Sequence, residues 1–211
     1  MPRNTPPALS RRVIVETALA IMDQDGYGAF SMPKLGDALG VRTPSLYHHF
    51  RDRADILVEV AKVVVLETEV PHRRADAPWT DYFVELSVNF RRTILRHHNT
   101  AAVLVQFLPR DVLAPLYETA ALILAEVPTV PLSAHVLILD GLERLTIGTA
   151  LIEASRPSHG PDTAFPNVDP DAHPQLAAAV GANALDAEQL FIETIRAFLS
   201  GVEAAAKNGH L

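Results

Sequence analysis

The stretch Leu-Gly-Val-Arg-Thr-Pro-Ser-Leu, residues 39–46, constrains the fold more than any other part of the chain. Gly40 can adopt the left-handed turn that ends a helix, and three residues later Thr43 and Pro44 supply an N-cap and a first-turn proline for the next one. Two helices must therefore meet at a tight corner. Ser31 can cap the first, whose Leu35 and Leu39 sit four apart on its buried side. The second is predicted from Pro44 to about His49. Its Leu46 and Phe50, four apart, can face inward, which leaves Arg42, Thr43, Ser45, Tyr47 and His48 for solvent.

Helical periodicity continues on both sides of this corner. Val13, Ile14, Thr17, Ala18 and Ile21 make residues 10–25 an amphipathic helix, with Ser10 as N-cap and Gly26 as stop. Asp52 reads as the cap of a helix running to about Thr68, with Ile56, Leu57, Val60, Val63 and Val64 along it. Further helices are predicted at 79–98, 100–107, 111–126, 132–155 and 186–206. Alternating strand patterns and hairpin signals are missing. Prolines at 157, 161, 166, 170 and 174 forbid a continuous helix over 156–174, which reads as an exposed, mobile loop followed by a short helix through Leu176–Val180. The fold class expected is all-α.

At 211 residues the chain can bury a substantial core in one large domain or two smaller ones. It has no cysteine, so neither a disulfide framework nor a Cys-based metal knuckle is available, and a cytoplasmic setting is expected. The opening "MPRNTPPALS" lacks a signal-peptide core, and apolar runs such as "VLILDGL" break off well short of a membrane span, so no membrane partner is expected. The net charge of -7 argues at first against a nucleic-acid partner, but it is unevenly spread. Residues 1–60 hold seven Lys or Arg against seven Asp or Glu, while residues 61–211 hold eleven against eighteen.

Two short helices joined by a tight turn have the layout of a helix-turn-helix, in which the first helix braces a second that enters the DNA major groove. The exposed side chains suit that task. Arg42 has the forked donors that match guanine O6 and N7, and Thr43 offers a hydroxyl and a methyl to base edges. Tyr47, Arg51 and Arg53 can donate to phosphate oxygens, contacts that fix register without reading sequence.

The segment "SMPKLGDALGVRTPSLYHHFRDRADIL" resembles the DNA-binding segment of the tetracycline-repressor (TetR) family of one-component regulators, and the likeness covers the first sixty-odd residues. Further on, "PWTDYFVELSVNFRRTILRHH" and "FIETIRAFLSGVEA" resemble, more loosely, the regulatory domain of the subgroup nearest the drug repressor. The resemblance implies an all-helical homodimer with a small-molecule pocket in each C-terminal domain. It implies a DNA-contacting set of Lys34, Arg42, Thr43, Pro44, Ser45, Tyr47, His48, Arg51 and Arg53. The expected division is a helix-turn-helix domain at 1–55, a connecting helix from about 52 to 68, and a ligand-binding and dimerisation domain at 56–211. Met32 and Pro33 stand where the drug repressor has a Thr and an Arg, and Leu86 where its ligand-binding segment has an Asn, while Phe90 matches its aromatic. Tetracycline is therefore not the expected ligand.

The helix from Trp79 to His98 sets Phe83, Ser87, Phe90, Ile94 and His97 on one stripe. Such a stripe is usually core; here Ser87 and His97 interrupt it with polar groups, as where a core opens into an apolar cavity. Leu86, Asn89, Gln106, Tyr117, His135, Asp140 and Glu143 are further ligand-site candidates, each more often a surface or satisfied core residue when taken alone. The effector expected is mostly apolar with a few polar groups. His48 with His49, and His97 with His98, are poor metal pairs because adjacent helical positions point about 100° apart. No metal or cofactor is expected. On the last helix Phe191, Ile195, Phe198 and Val202 recur at steps of four, three and four beside small Ala197 and Gly201. With the helix at 132–155 this can form half of an intersubunit four-helix bundle.

Enzyme motifs are missing: there is no phosphate-cradling glycine loop, no nucleophile elbow and no His-Glu-x-x-His. The reading is a ligand-responsive repressor that binds a palindromic double-stranded operator as a dimer and is released by a small molecule. The alternative is a helical small-molecule binding or sequestering protein without DNA readout.

Overall fold

The computed structural model describes residues 9–108, 110, 113–155, 165 and 167–211. Among them the chain is all-α, with ten α-helices and no strand: α1 Arg11–Asp25, α2 Met32–Leu39, α3 Thr43–Leu46, α4 Arg53–Leu66, α5 Trp79–Arg96, α6 Ala101–Phe107, α7 Ala114–Ala125, α8 Leu132–Ala154, α9 Pro174–Ala182 and α10 Ala187–Lys207. None of these helices is long and apolar enough to cross a membrane.

Local chemistry sets most of the boundaries. The side chains of Ser10, Ser31 and Asp52 accept the N–H groups of Val13, Lys34 and Asp55 at 3.3, 3.3 and 2.8 Å, which satisfies donors the helix itself leaves open. Asp186 and Gln189 form a reciprocal capping box at the start of α10. The second helix of the corner differs from expectation. Its α-helical turn begins at Thr43, with Arg42 as the capping residue, and ends at Leu46. Tyr47, His48 and His49, poor helix formers, follow as a turn that lets Phe50 dive inward. Helix α5 stops at Arg96, two residues early, because His97 leaves helical geometry to meet partners from other helices. Most of the proline-rich loop expected at 156–174 lies outside the described residues.

Two hydrophobic cores hold the helices together. The first joins α1, α2, α3 and α4, through Ile14, Met22, Leu35, Leu46 and Ile56, to Ile94, Leu104 and Ile147 of later helices. The second packs Phe83 and Val88 of α5 against Leu124, Ile138 and Leu142, with Phe191 and Ile195 of α10. The packing thus does not divide at residue 55: α4 and parts of α5, α6 and α8 share the core of the N-terminal helices. Arg91, 3 % exposed, staples α5 to α8 and α10 by pairing with Glu153 and, at 3.4 Å, with Glu188, while its guanidinium lies 5.6 Å over the Phe191 ring. On α10 the buried positions are Phe191, Ile195, Leu199 and Val202, so Leu199 takes the place expected of Phe198, which is only partly buried.

Candidate functional site

The corner between α2 and α3 is built around two glycines. Gly40 sits at φ 66°, and the Val41 N–H donates to the Gly36 carbonyl at 2.9 Å. A Cβ on Gly36 would lie 2.9 Å from the Val41 oxygen, so only glycine lets the turn close this tightly over α2. Leu46 and Phe50, both essentially buried, pin α3 to the first core. Arg42, Pro44, Tyr47, His48 and Arg51 are left on the outer surface, with Thr43 and Ser45 half-buried beside them.

Two other expected DNA contacts are engaged within the protein. Lys34 pairs with Asp25 at 2.8 Å. Arg53 lies over the rings of Tyr27 and Phe30 at 5.1 and 5.2 Å, which makes it a clamp at the edge of the first core. Arg51 bonds Asp55 through its backbone N–H and its guanidinium and holds that carboxyl below its ordinary range. Arg11 is a residue the sequence did not single out: it donates to the His49 carbonyl, stacks 4.0 Å over Phe50 and lies 3.8 Å from Glu59. It buttresses the far end of α3. No motif marks it, because only the tertiary fold brings α1 to a residue 38 positions away.

A cavity of about 90 Å³ opens between the end of α4, helices α5, α7 and α8, and the α6–α7 connection. It lies on the seam between the two cores: Val65 and Leu113 belong to the first, and Phe83, Ala120 and Leu142 to the second. Of the ligand-site candidates, Phe83, Leu86, Ser87 and Phe90 of α5, Tyr117 of α7 and Glu143 of α8 line it. Val65 and Thr68 were missed, and the Thr68 hydroxyl is buried there without a hydrogen-bond partner. Their place in line with α4 was the available signal. Glu143 is the one charged residue among the described lining residues. Tyr117 donates to one of its oxygens and Arg110 to the other; Arg110 also reaches Asp140 at 3.2 Å. Burial first, and the Glu143 carboxylate next, push the Tyr117 phenol far above its ordinary range.

Five candidates sit elsewhere, each for a visible reason. Asn89 turns to the Glu69 carbonyl at 3.0 Å. Asp140 faces outward and binds Arg144 at 2.5 Å. His135 is buried in the first turns of α8, away from the cavity walls. Gln106 accepts from the Tyr27 hydroxyl at 3.2 Å. His97 lies between Asp23 of α1 at 2.7 Å and Glu67 at the end of α4 at 2.9 Å. Thr100 and Asn99 add bonds to the Asp23 carboxylate and carbonyl at 2.7 and 2.8 Å. Burial alone would lower the His97 pKa, but the hydrogen bonds to Glu67 and Asp23 outweigh it and raise it. Gln106 and His97 therefore belong to the junction between the N-terminal helices and the rest.

Residues 14–60 match the family described as bacterial regulatory proteins, tetR family. The tetracycline repressor protein class A from transposon 1721 of Escherichia coli is 30% identical over 115 residues, 53% of this chain and 51% of its own length. An HTH-type transcriptional regulator of Saccharopolyspora erythraea is 32% identical over 99 residues, 47% of this chain and 42% of its own. The chain thus spans about half the length of these curated relatives. Over nearly its whole length it superposes on crystal structures of ActR from Streptomyces coelicolor. The apo form gives a TM-score of 0.77 at 26% identity, covering 97% of this chain and 99% of that one. The complex with actinorhodin gives 0.76 at 25%, covering 94% and 98%.

Proposed function

We propose that the chain, whose residues 14–60 match the tetR family of bacterial regulatory proteins, is a ligand-responsive transcriptional repressor of that family. It acts in the cytoplasm as a homodimer on a palindromic operator and leaves the DNA when a small molecule fills the cavity. In this reading Arg42, Thr43, Pro44, Ser45, Tyr47 and His48 enter the major groove. Arg51 meets the phosphates, and Lys34 and Arg53 do so only by giving up partners inside the protein.

One observation carries the reading: the cavity sits on the seam between the cores, at the C-terminal end of the helix whose other end carries α3. Helix α4 has 14 residues and so is about 21 Å long. A ligand wedged between the cores displaces one end of this rod, and the recognition helix moves at the other. Release requires that the ligand favour a dimer whose two reading heads no longer match one helical turn of DNA, about 34 Å. Packed helices suit such a switch because they move between discrete arrangements. ActR, similar in fold, has been crystallised with actinorhodin, which supports a small-molecule effector. Gly148 of α8 and Gly201 of α10 have open space where a side chain would stand, which suits close approach by a second subunit.

The test is binding to the DNA upstream of the protein's own gene, followed by fluorescence anisotropy over a range of salt. A specific complex, much tighter than that with a scrambled duplex and weakening with salt, is expected. Equal binding to both duplexes would leave a small-molecule binding protein without DNA readout.

A further inference from the structure

Glu143 is an odd residue for its place. The cavity walls are otherwise apolar or neutral, and the Glu143 side chain is only 11% exposed. A carboxylate so placed needs donors for both oxygens. One oxygen is served from outside the cavity by Arg110 on the α6–α7 connection, which also neutralises the charge. The other is served from within by the phenol of Tyr117, itself a lining residue. The protein thus places an aromatic hydroxyl of its own on the one strong acceptor in the cavity.

Resting on the cavity's being the effector site, we propose that Glu143 is its specificity-determining residue. It selects an uncharged aromatic ligand bearing a hydroxyl, which donates to the carboxylate oxygen that Tyr117 now holds. Three features decide the class. An anionic ligand would bring a second negative charge to Glu143 with no cationic side chain among the described lining residues to offset it. A cationic ligand gains little, because Arg110 already balances the carboxylate and the remaining walls cannot solvate a charge. A neutral hydroxyl meets a strong, charged acceptor, while Phe83, Phe90 and the leucines around them accommodate a flat apolar body. The cavity then discriminates by what it would leave unpaired: a ligand without a donor that takes the space of the Tyr117 phenol strands a buried carboxylate oxygen, and one that leaves the phenol in place gains nothing from Glu143.

The experiment titrates the protein with three matched fluorescent probes: 2-naphthol, 2-methoxynaphthalene, which has the ring but no donor, and 2-naphthoate, which is anionic. In the unaltered protein 2-naphthol should bind about tenfold more tightly than 2-methoxynaphthalene, with 2-naphthoate weakest. Glu143→Gln should shrink the naphthol preference, and Tyr117→Phe, which removes the competing phenol, should widen it. Opposite shifts cannot arise from general loosening of the cavity, which would move all three affinities together. Equal binding of 2-naphthol and 2-methoxynaphthalene in the unaltered protein, or preferences that shift the same way in both variants, overturns the proposal while leaving the cavity as a binding site. Failure of all three probes to bind overturns the cavity reading itself, and this proposal with it.

Discussion

Arg42 and Arg53 carry the same charge, but the fold uses them differently. Arg42 is exposed at the start of α3, whereas Arg53 is stacked between the rings of Tyr27 and Phe30. Arg42→Ala should weaken operator binding by about 1–3 kcal/mol and relax preference at one base pair per half-site, as competition assays with single-base operator variants would read. Arg53→Ala should instead lower the protein's own stability by about 1 kcal/mol, seen in chemical denaturation without DNA. His97 gives a pH signature. Its pKa is raised in the folded state above the ordinary 6.5 by Glu67 and Asp23. The stabilisation it contributes is therefore complete below pH 6.5 and fades as pH rises through the raised value. In His97→Gln, stability measured across that window should lose this decline. At this scale the sequence was only partly legible. It put Asp140 and Glu143 forward together, three positions apart on one helix, but an amphipathic stripe fixes a side chain's direction only to within a quadrant or so. Only the arrangement of α5 and α7 decides that Glu143 faces the cavity and Asp140 faces Arg144.

Among the elements, α4 joins the first core to the cavity wall. Val64 is 1% exposed and lies one residue from the cavity-lining Val65. Val64→Ala should change the ratio of operator affinities with and without effector more than it changes affinity alone, since it loosens the packing of the lever but touches no DNA-facing group. An unchanged ratio in a folded, dimeric variant would remove α4 from the signalling route at this position. Helix starts were readable where a short polar side chain caps them, as at Ser10, Ser31 and Asp52. Ends were less so. The α3 turn is shorter than its pattern suggests because Phe50 must reach the core, and α5 breaks where His97 turns toward α1 and α4. Both are tertiary demands that override local propensity.

The whole molecule joins parts that lie far apart in sequence. Arg91 pairs with residues 62 and 97 positions away, and no periodicity records such pairings, so neither the two cores nor the seam between them could be read in advance. Gly201 tests the assembly. A Cβ there meets nothing within 4 Å in one subunit, and Gly201→Leu improves helix propensity. The subunit should fold at least as well, while sedimentation should show loss of the dimer and anisotropy the loss of operator binding. The shared first core also bears on any attempt to treat the helix-turn-helix segment as a cassette for grafting onto other proteins. A cut at residue 55 would part Ile14, Met22, Leu35 and Leu46 from Ile56, Leu57 and Val60, and from the surfaces of α6 and α8 that complete their enclosure. Residues 1–55 alone should therefore fail to show cooperative thermal melting by circular dichroism. A working chimaera would have to carry across the α4 rod and the matching faces of its hosts, so that operator preference and effector response pass between regulators as one inheritance.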